Sequence, residues 1–333
     1  MTLPFAHGGP PLTGVLKATP EDFVVEEVLG FEADGLGEHD LLWIEKRETN
    51  TVWLADELAR FSKVAQVAVG FAGMKDRQAV ARQHFSVQLP GRQVDWSGLS
   101  LPGVRVLAVA RHSRKLKRGA LTGNRFELRL REIAGDRGIA EARLQQLGER
   151  GAPNYFGEQR FGHDGGNLDR ARRLFAGARM GREQRSFALS AARSELFNRV
   201  LAERVRDASW DRPLSGELCI LEGRRTYFGP CEPDGELLAR CKAAEVHPSG
   251  PLWGRSALPS AGECAALESR VLAEFPEFCR GLEQAGMDQE RRPLRMFARD
   301  LAFDWQDDCL HLRFGLSAGT YATSFVRELV AIA

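Results

Sequence analysis

Apolar and polar residues alternate strictly over 125–131, where Phe126, Leu128 and Leu130 are set against Arg125, Glu127, Arg129 and Arg131. A period of two predicts a strand with one buried and one wet face. Phe23 and Val25, and then Phe85, Val87 and Leu89, repeat the pattern, so short strands are expected across residues 12–132. One helix interrupts them: Asn50 and Thr51 are suitable caps, and Leu54, Leu58 and Phe61 recur at helical spacing over 52–63. From 137 the period lengthens. Ile139, Ala140, Leu144 and Leu147 share one helix face, which Gly151-Ala152-Pro153 ends. Further helices are predicted at about 167–177, 189–207 and 262–283, separated by the Pro/Gly-rich tracts 229–235 and 247–254, with short strands within 217–232. The segment 310–314 alternates again, and Gly319-Thr320 precedes a helix with Phe325, Leu329 and Ile332 on one side. The fold class is therefore α+β. The return of strand patterning near the end suits a middle domain inserted into a split one.

Length agrees, since 333 residues at ~100–200 per domain predict two domains or one carrying an insertion. With 43% apolar and 27% charged residues, the chain is an ordinary folding sequence, which excludes disorder, collagen and coiled coil as the main state. Net charge is only +1, from 46 basic against 45 acidic residues, so any surface for nucleic acid must arise by local segregation. No apolar stretch is long enough to span a bilayer and the start lacks a signal-peptide pattern, so a cytoplasmic protein is expected. The six cysteines contain no CxxC pair, and the seven histidines lack the spacing of a metal site. No zinc site or disulfide framework is expected. Neither GxGxxG nor GxxxxGK[ST] occurs, which leaves nucleotide-cofactor chemistry without support.

Three stretches could carry chemistry. Gly70-Phe71-Ala72-Gly73-Met74-Lys75-Asp76-Arg77 follows the strand-like run 64–69 and presents a carboxylate between two cations. Nearby positive charge keeps a carboxyl ionised, as a nucleophile or base requires. The same pattern also fits a solvated turn, or, through Gly70-x-x-Gly73, a backbone clamp like that of KH domains. Next, Arg111-His112-Ser113-Arg114-Lys115-Leu116-Lys117-Arg118 holds five cations and no acid, and 170–193 holds seven arginines against Glu183 alone. Such clusters suit phosphate contacts; each taken singly also suits a solvated charged face. Phe126, Tyr155, Phe156, Phe161, Phe187 and Tyr321 accompany them and could stack unpaired bases, or simply fill a core.

Six blocks, in order, carry a resemblance: Leu16-Lys17-x-x-Pro20-Glu21-Asp22-Phe23, Phe71-Ala72-Gly73-x-Lys75-Asp76, Gly119-Ala120-Leu121-x-Gly123-Asn124-x-Phe126, Pro153-Asn154-Tyr155-Phe156-Gly157-x-Gln159-Arg160-Phe161-Gly162, Leu189-Ser190-Ala191-Ala192-Arg193-Ser194 and Ala318-Gly319-x-Tyr321-Ala322-Thr323-Ser324-x-Val326-Arg327-Glu328-Leu329. Together they closely resemble the TruD family of tRNA pseudouridine synthases. The resemblance implies a pseudouridine-synthase catalytic domain, with a mixed, largely antiparallel sheet flanked by helices, from 1–150 and 296–333, and an inserted helix-rich TRUD domain over 151–295. It implies conversion of uridine to pseudouridine at position 13 of tRNA, without a cofactor or metal. It makes Asp76 the catalytic aspartate, Lys17 the basic residue beside it, Asn124 and Phe126 parts of the uracil site and Tyr321 the aromatic ring stacked on the nucleobase, with Lys75 on the substrate side. Arg111, Arg114, Lys115, Lys117, Arg118 and Arg160 become candidates for the RNA backbone. Two positions depart from the family: Tyr321 stands where Phe is typical, and Ala81 where Thr is frequent. The partner implied is tRNA, with no membrane and no protein partner, and a monomer suffices. The alternatives from the residues alone are a non-catalytic RNA-binding module and a metal-dependent hydrolase using Asp76.

Overall fold

In the computed structural model, which describes residues 3–332, the alternating segments become strands of one sheet. These are β1 (Leu12–Leu16), β2 (Phe23–Leu29), β3 (His39–Arg47), β4 (Val69–Phe71), β5 (Val80–Gln88), β6 (Val104–His112) and β7 (Leu121–Gly135), with the helix α1 (Thr51–Ser62) between β3 and β4. Across the sheet the order is Arg299–Gln306, Cys309–Ser317, β7, β2, β5, β3, β6, with β1 beside β7 and β4 beside β5. Only β2 and β5 run parallel; the other pairs within this path are antiparallel. The mixed, largely antiparallel sheet implied by the resemblance is thus present.

Alternation along β7 buries Phe126, Leu128 and Leu130 and leaves Arg125, Glu127 and Arg129 in solvent. Asn50 caps α1, its side chain accepting from Val52 N at 2.8 Å and Trp53 N at 3.2 Å, and Lys63 ends the helix at φ 54°. Leu54, Ala55 and Leu58 pack on Leu42, Ile44, Phe85 and Val87, each large apolar side chain contributing roughly 1.5–3 kcal/mol by leaving water. The run 64–69 is not a strand throughout. Gln66–Ala68 is a 3₁₀ turn with Val67 in solvent, and only Val69–Phe71 reaches the edge of β5.

By compactness the chain divides into two units, one of them Leu12–Gly135 with Ala298–Gly319, the sheet just described. The other holds Asp136–Phe297 together with the chain up to Pro11 and Thr320–Ala331. This cut differs from the expected one at 150/151, because the helix α2 (Arg137–Arg150) belongs with the middle segment. Its buried Arg143 donates to the carbonyls of Gly8 at 3.2 Å, Gly9 at 3.3 Å and Glu328 at 2.7 Å, all in the same unit. Ala140, Leu144 and Leu147 are buried as expected, but Ile139, a third of a turn away, is exposed.

Helices α3 (Gly166–Phe175) and α4 (Arg182–Arg206) pack with Gly262–Leu272 and Pro276–Gln284 around Leu189, Leu196, Val200, Val271 and Phe278. α4 starts two turns earlier than its apolar spacing predicts. The helix expected over 262–283 is two, because Pro276 removes a backbone donor and Phe275 before it is non-helical. The Pro-rich tract at 247–254 is no loop: Val246–Leu252 is a buried strand. Val246–Pro248 pairs with Glu217–Leu221 and 249–252 with Glu290–Pro293, so each half has one ladder and the missing proline donors are tolerated. The final helix is short, Ala322–Val326, followed by the strand Val330–Ile332. The chain leaves the helix where the buried Glu328 carboxylate turns in to accept from Ala6 N at 2.9 Å.

Candidate active site

Asp76 stands on the loop between β4 and β5, with its carboxylate in the sheet unit ion-paired to Lys17 Nζ. Lys17 follows β1 at φ 65°, a left-handed conformation costing a non-glycine residue of order 1 kcal/mol, and its ammonium also lies 4.2 Å from the Phe23 ring centroid. The other carboxylate oxygen of Asp76 accepts from Gln78 N at 3.1 Å. The main chain of Asp76 is held as well. Lys46 Nζ donates to the Asp76 carbonyl at 3.1 Å and to the Thr49 carbonyl at 2.6 Å, and Lys46 is wholly buried.

Lys75 points the other way. Its ammonium donates to Asn124 Oδ1 at 2.6 Å and lies 3.2 Å from Glu27 Oε1, while its backbone N donates to Thr51 Oγ1 at 3.2 Å. Strand register explains the meeting, since Glu27 of β2 lies directly opposite Asn124 of β7. Burial raises the Glu27 pKa, but His84 and Lys75 outweigh it and hold the carboxyl below its usual range. Burial lowers the Lys75 pKa against the pull of Glu27. A lysine can only donate, so it fixes the Asn124 amide with Oδ1 toward Lys75 and Nδ2 turned elsewhere. Phe126, two residues on, shares that face, but its ring is buried between Phe23 and Phe314 at centroid distances of 5.9 and 5.5 Å.

Gly70 is explained without a ligand. A Cβ there would run into the Leu116 carbonyl, so the glycine admits the 111–120 segment, whereas Gly73 has only ordinary contacts around it. The resemblance to a KH clamp loses its basis. Among the cations of that segment, Arg111 is spent on the fold, donating to Asp40 Oδ1 at 2.8 Å and to the Gly37 carbonyl at 2.7 and 3.1 Å. Lys115 donates to the Val67 carbonyl, and the Arg118 guanidinium lies 3.9 Å from the Phe71 ring. Arg114 and Lys117 are exposed.

The remaining two candidates meet in the other unit. Arg160 donates to the Tyr321 hydroxyl through Nε at 3.1 Å and Nη2 at 2.5 Å, and through Nη1 to Ser190 Oγ at 2.9 Å. Phe156 packs beneath, 6.1 Å from the Tyr321 ring and 4.0 Å from the Arg292 guanidinium. Burial pushes Arg292 down to about 10, although Tyr321 pulls it upward.

A family model described as tRNA pseudouridine synthase D (TruD) matches residues 3–170 and 174–329. The chain belongs to the TruD family. A tRNA pseudouridine synthase D from Nitrosococcus oceani is 50% identical, covering 98% of this chain and 93% of the relative. One from Methylococcus capsulatus is 47% identical, covering 98% and 94%. A crystal structure from Methanosarcina mazei, described as a tRNA pseudouridine synthase D, matches with a TM-score of 0.72 at 20% identity over 98% of this chain and 95% of that one, a likeness of fold.

Against the TruD pattern, the tyrosine at 321 has a hydroxyl with a defined partner, Arg160, that phenylalanine would lack. The second departure, Ala81, is buried in β5 opposite Lys46 and Val25. Sequence reasoning missed Lys46, Glu27 and Thr51. A signal existed for two: Lys46 continues the buried series Leu42, Ile44 in β3, and Glu27 continues Phe23, Val25 in β2. A charge on the apolar face of a strand is seldom idle.

Lys46→Met tests that reading. Burial pushes the Lys46 pKa down to about 8 from 10.5, while Asp76 pulls it upward. Keeping it charged in the fold therefore costs about 3 kcal/mol at pH 7. Removing the ammonium relieves that penalty but leaves the carbonyls of Asp76 and Thr49 without it, at about 1–3 kcal/mol each. Thermal stability at pH 7 should stay nearly level, while kcat falls about 10- to 100-fold as the loop loses its support. Between about pH 8 and 10.5 the unfolded chain holds the Lys46 proton more than the fold does, so this group makes stability rise with pH; in Lys46→Met that rise should vanish. Melting curves from pH 7 to 10, with kcat, check both parts.

Proposed function

We propose that this chain isomerises uridine to pseudouridine in tRNA, at position 13, with Asp76 as the catalytic carboxylate. The observation that carries the reading is the Lys17–Asp76 ion pair on a loop whose preceding residue, Lys75, is locked to Asn124 and Glu27. The reaction breaks the N1–C1′ bond and forms C5–C1′; the proton lost from C5 is matched by one gained at N1, so no oxidant or donor is consumed. It needs a carboxylate able to add to the base or sugar, or to take a sugar proton. Lys17 pairs with such a group and aims it, Lys46 holds its main chain, and Asn124 offers an amide to a uracil edge. In this reading Phe126 acts as wall more than as stacking surface, and Tyr321 supplies the stacking ring. The target base must leave its stack, which exposed cations such as Arg114 and Lys117 support by gripping phosphates.

Residues 1–150 and 296–333 would then carry the chemistry, with 151–295 as the family-specific insertion. A monomer working on tRNA in the cytoplasm suffices, and no helix among the described residues is long and apolar enough to cross a membrane. Unmodified tRNA incubated with the protein should acquire one pseudouridine, read by carbodiimide mapping. Salt-dependent binding of correctly folded tRNA with no turnover would instead leave an RNA-binding module.

A further inference from the structure

We propose that Glu27 is a positioning residue which, acting through Lys75, turns the Asn124 amide so that its N–H groups face the substrate and read a carbonyl of uracil. The proposal rests on the functional reading above, with Asp76 as the reacting carboxylate and Asn124 at the uracil edge. Glu27, Lys75 and Asn124 all lie in the sheet unit, and register sets Glu27 of β2 directly opposite Asn124 of β7. Lys75 reaches both: its ammonium donates to Asn124 Oδ1 at 2.6 Å and lies 3.2 Å from Glu27 Oε1. The second carboxylate oxygen of Glu27 accepts from His84 N of β5 at 3.0 Å, which anchors the group to a third strand. The 73–76 loop runs over the pair. A Cβ on Gly73 would stand 3.7 Å from Lys75 Nζ and 3.9 Å from Glu27 Oε1. Lys75 N donates to Thr51 Oγ1 at 3.2 Å, and Thr51 in turn donates to Gln83 Oε1 at 3.0 Å.

The pair does little for the fold by itself. The Lys75 and Glu27 side chains are 5% and 0% exposed. A buried ion pair returns about what its desolvation costs, so apolar residues of similar volume would serve stability as well. What the charges do settle is a direction. An ammonium only donates, which commits Asn124 Oδ1 to Lys75; a neutral amine has a lone pair and would accept from Nδ2 equally well, leaving the amide free to turn over. Burial pulls Lys75 toward the neutral form and Glu27 opposes it, so the carboxylate decides between the two orientations. Asn124 is only half-buried, and no hydrogen bond from its Nδ2 occurs among the described residues. Its N–H donors are thus left for a ligand, and their complement is a carbonyl oxygen. Uracil offers two, O2 and O4.

The test compares kcat/KM on tRNA carrying uridine, 2-thiouridine or 4-thiouridine at the target position, since sulfur is a poor acceptor. The intrinsic effect of sulfur on the base is common to all variants, so the hydrogen bond is read as the penalty in excess of that shown by Asn124→Ala. Wild type should show an excess of about 3- to 12-fold for one of the two sulfurs, the size of one hydrogen bond. Glu27→Gln, with melting curves to confirm folding, should abolish the excess. The double variant Glu27→Leu/Lys75→Met removes both ions, covers the case in which the single variant does not fold, and should abolish it as well. A merely structural residue would slow all three substrates alike and leave the excess standing. That result in either variant, or a wild type with no excess for either sulfur, would overturn the proposal. A wild type without turnover on uridine would overturn the functional reading instead.

Discussion

Asp76→Asn should bind tRNA within about threefold of wild type and convert uridine at least 10³-fold more slowly, a loss of the size seen when a reacting group is removed from a site that still binds substrate. The substitution is isosteric. Its amide oxygen can still accept from Gln78 N, and Lys46 still reaches the residue 76 carbonyl, so the loop keeps its path. What disappears is the negative charge facing Lys17, and with it any ability to add to carbon or accept a proton. Lys17 is 14% exposed, so its stranded ammonium can be hydrated and the fold should survive. Binding is expected to persist because the exposed cations Arg114 and Lys117 do not depend on the carboxylate. Single-turnover mapping and filter binding on one preparation separate the two effects. Retained turnover would remove Asp76 from the chemistry, and a binding loss as large as that of the double variant Arg114→Ala/Lys117→Ala would mean that grip and chemistry are not separable.

Arg204→Ala should be the most damaging single change to stability. Arg204 and Glu217 are buried and joined at 2.8 Å, and the guanidinium also donates to the carbonyls of Ser209 at 2.8 and 3.1 Å and Arg212 at 2.8 Å. Removing one partner leaves a carboxylate uncompensated out of water, at about 3–5 kcal/mol. For a unit of this size each kcal/mol is about 2–4 °C, so a drop on the order of 10 °C is expected. Replacing both charges, as Arg204→Met with Glu217→Leu, should recover much of it, because the desolvation cost of two ions goes with them. Calorimetry on both variants decides: a single variant melting within about 2 °C of wild type would refute the estimate. Arg204 lies in the last turn of the helix whose earlier turns carry Ser190, the acceptor from Arg160.

Strands β2, β5 and β7 and helix α1 could be read from the chain alone, because a pleat alternates faces and a helix repeats every 3.6 residues whatever lies elsewhere. The loop proposed to carry the chemistry stands out equally in sequence: Lys75 and Asp76 lie in one short block, and Lys17 and Asn124 in two others of the same family pattern. The breaks in the pattern were harder. Periodicity ran through Pro276 as if the helix continued, and proline-rich Val246–Leu252 looked like a loop until its two half-ladders were seen. Phe126 is part of the uracil site by resemblance, and the fold buries its ring between Phe23 and Phe314, which no local pattern announces.

Local order and the proposal of Asp76 as the reacting carboxylate therefore rest on sequence, since backbone preferences and motif residues act over a few positions. Which charges are buried, and against what, was decided only by the fold. Lys46 meets Asp76 across 30 residues and Lys75 meets Asn124 across 49. The cost of burying an ammonium depends on partners brought in from such distances, and neither the partner nor the depth is written in a residue's own neighbourhood. The same holds for α2, which the carbonyls of Gly8, Gly9 and Glu328 draw to one unit through Arg143.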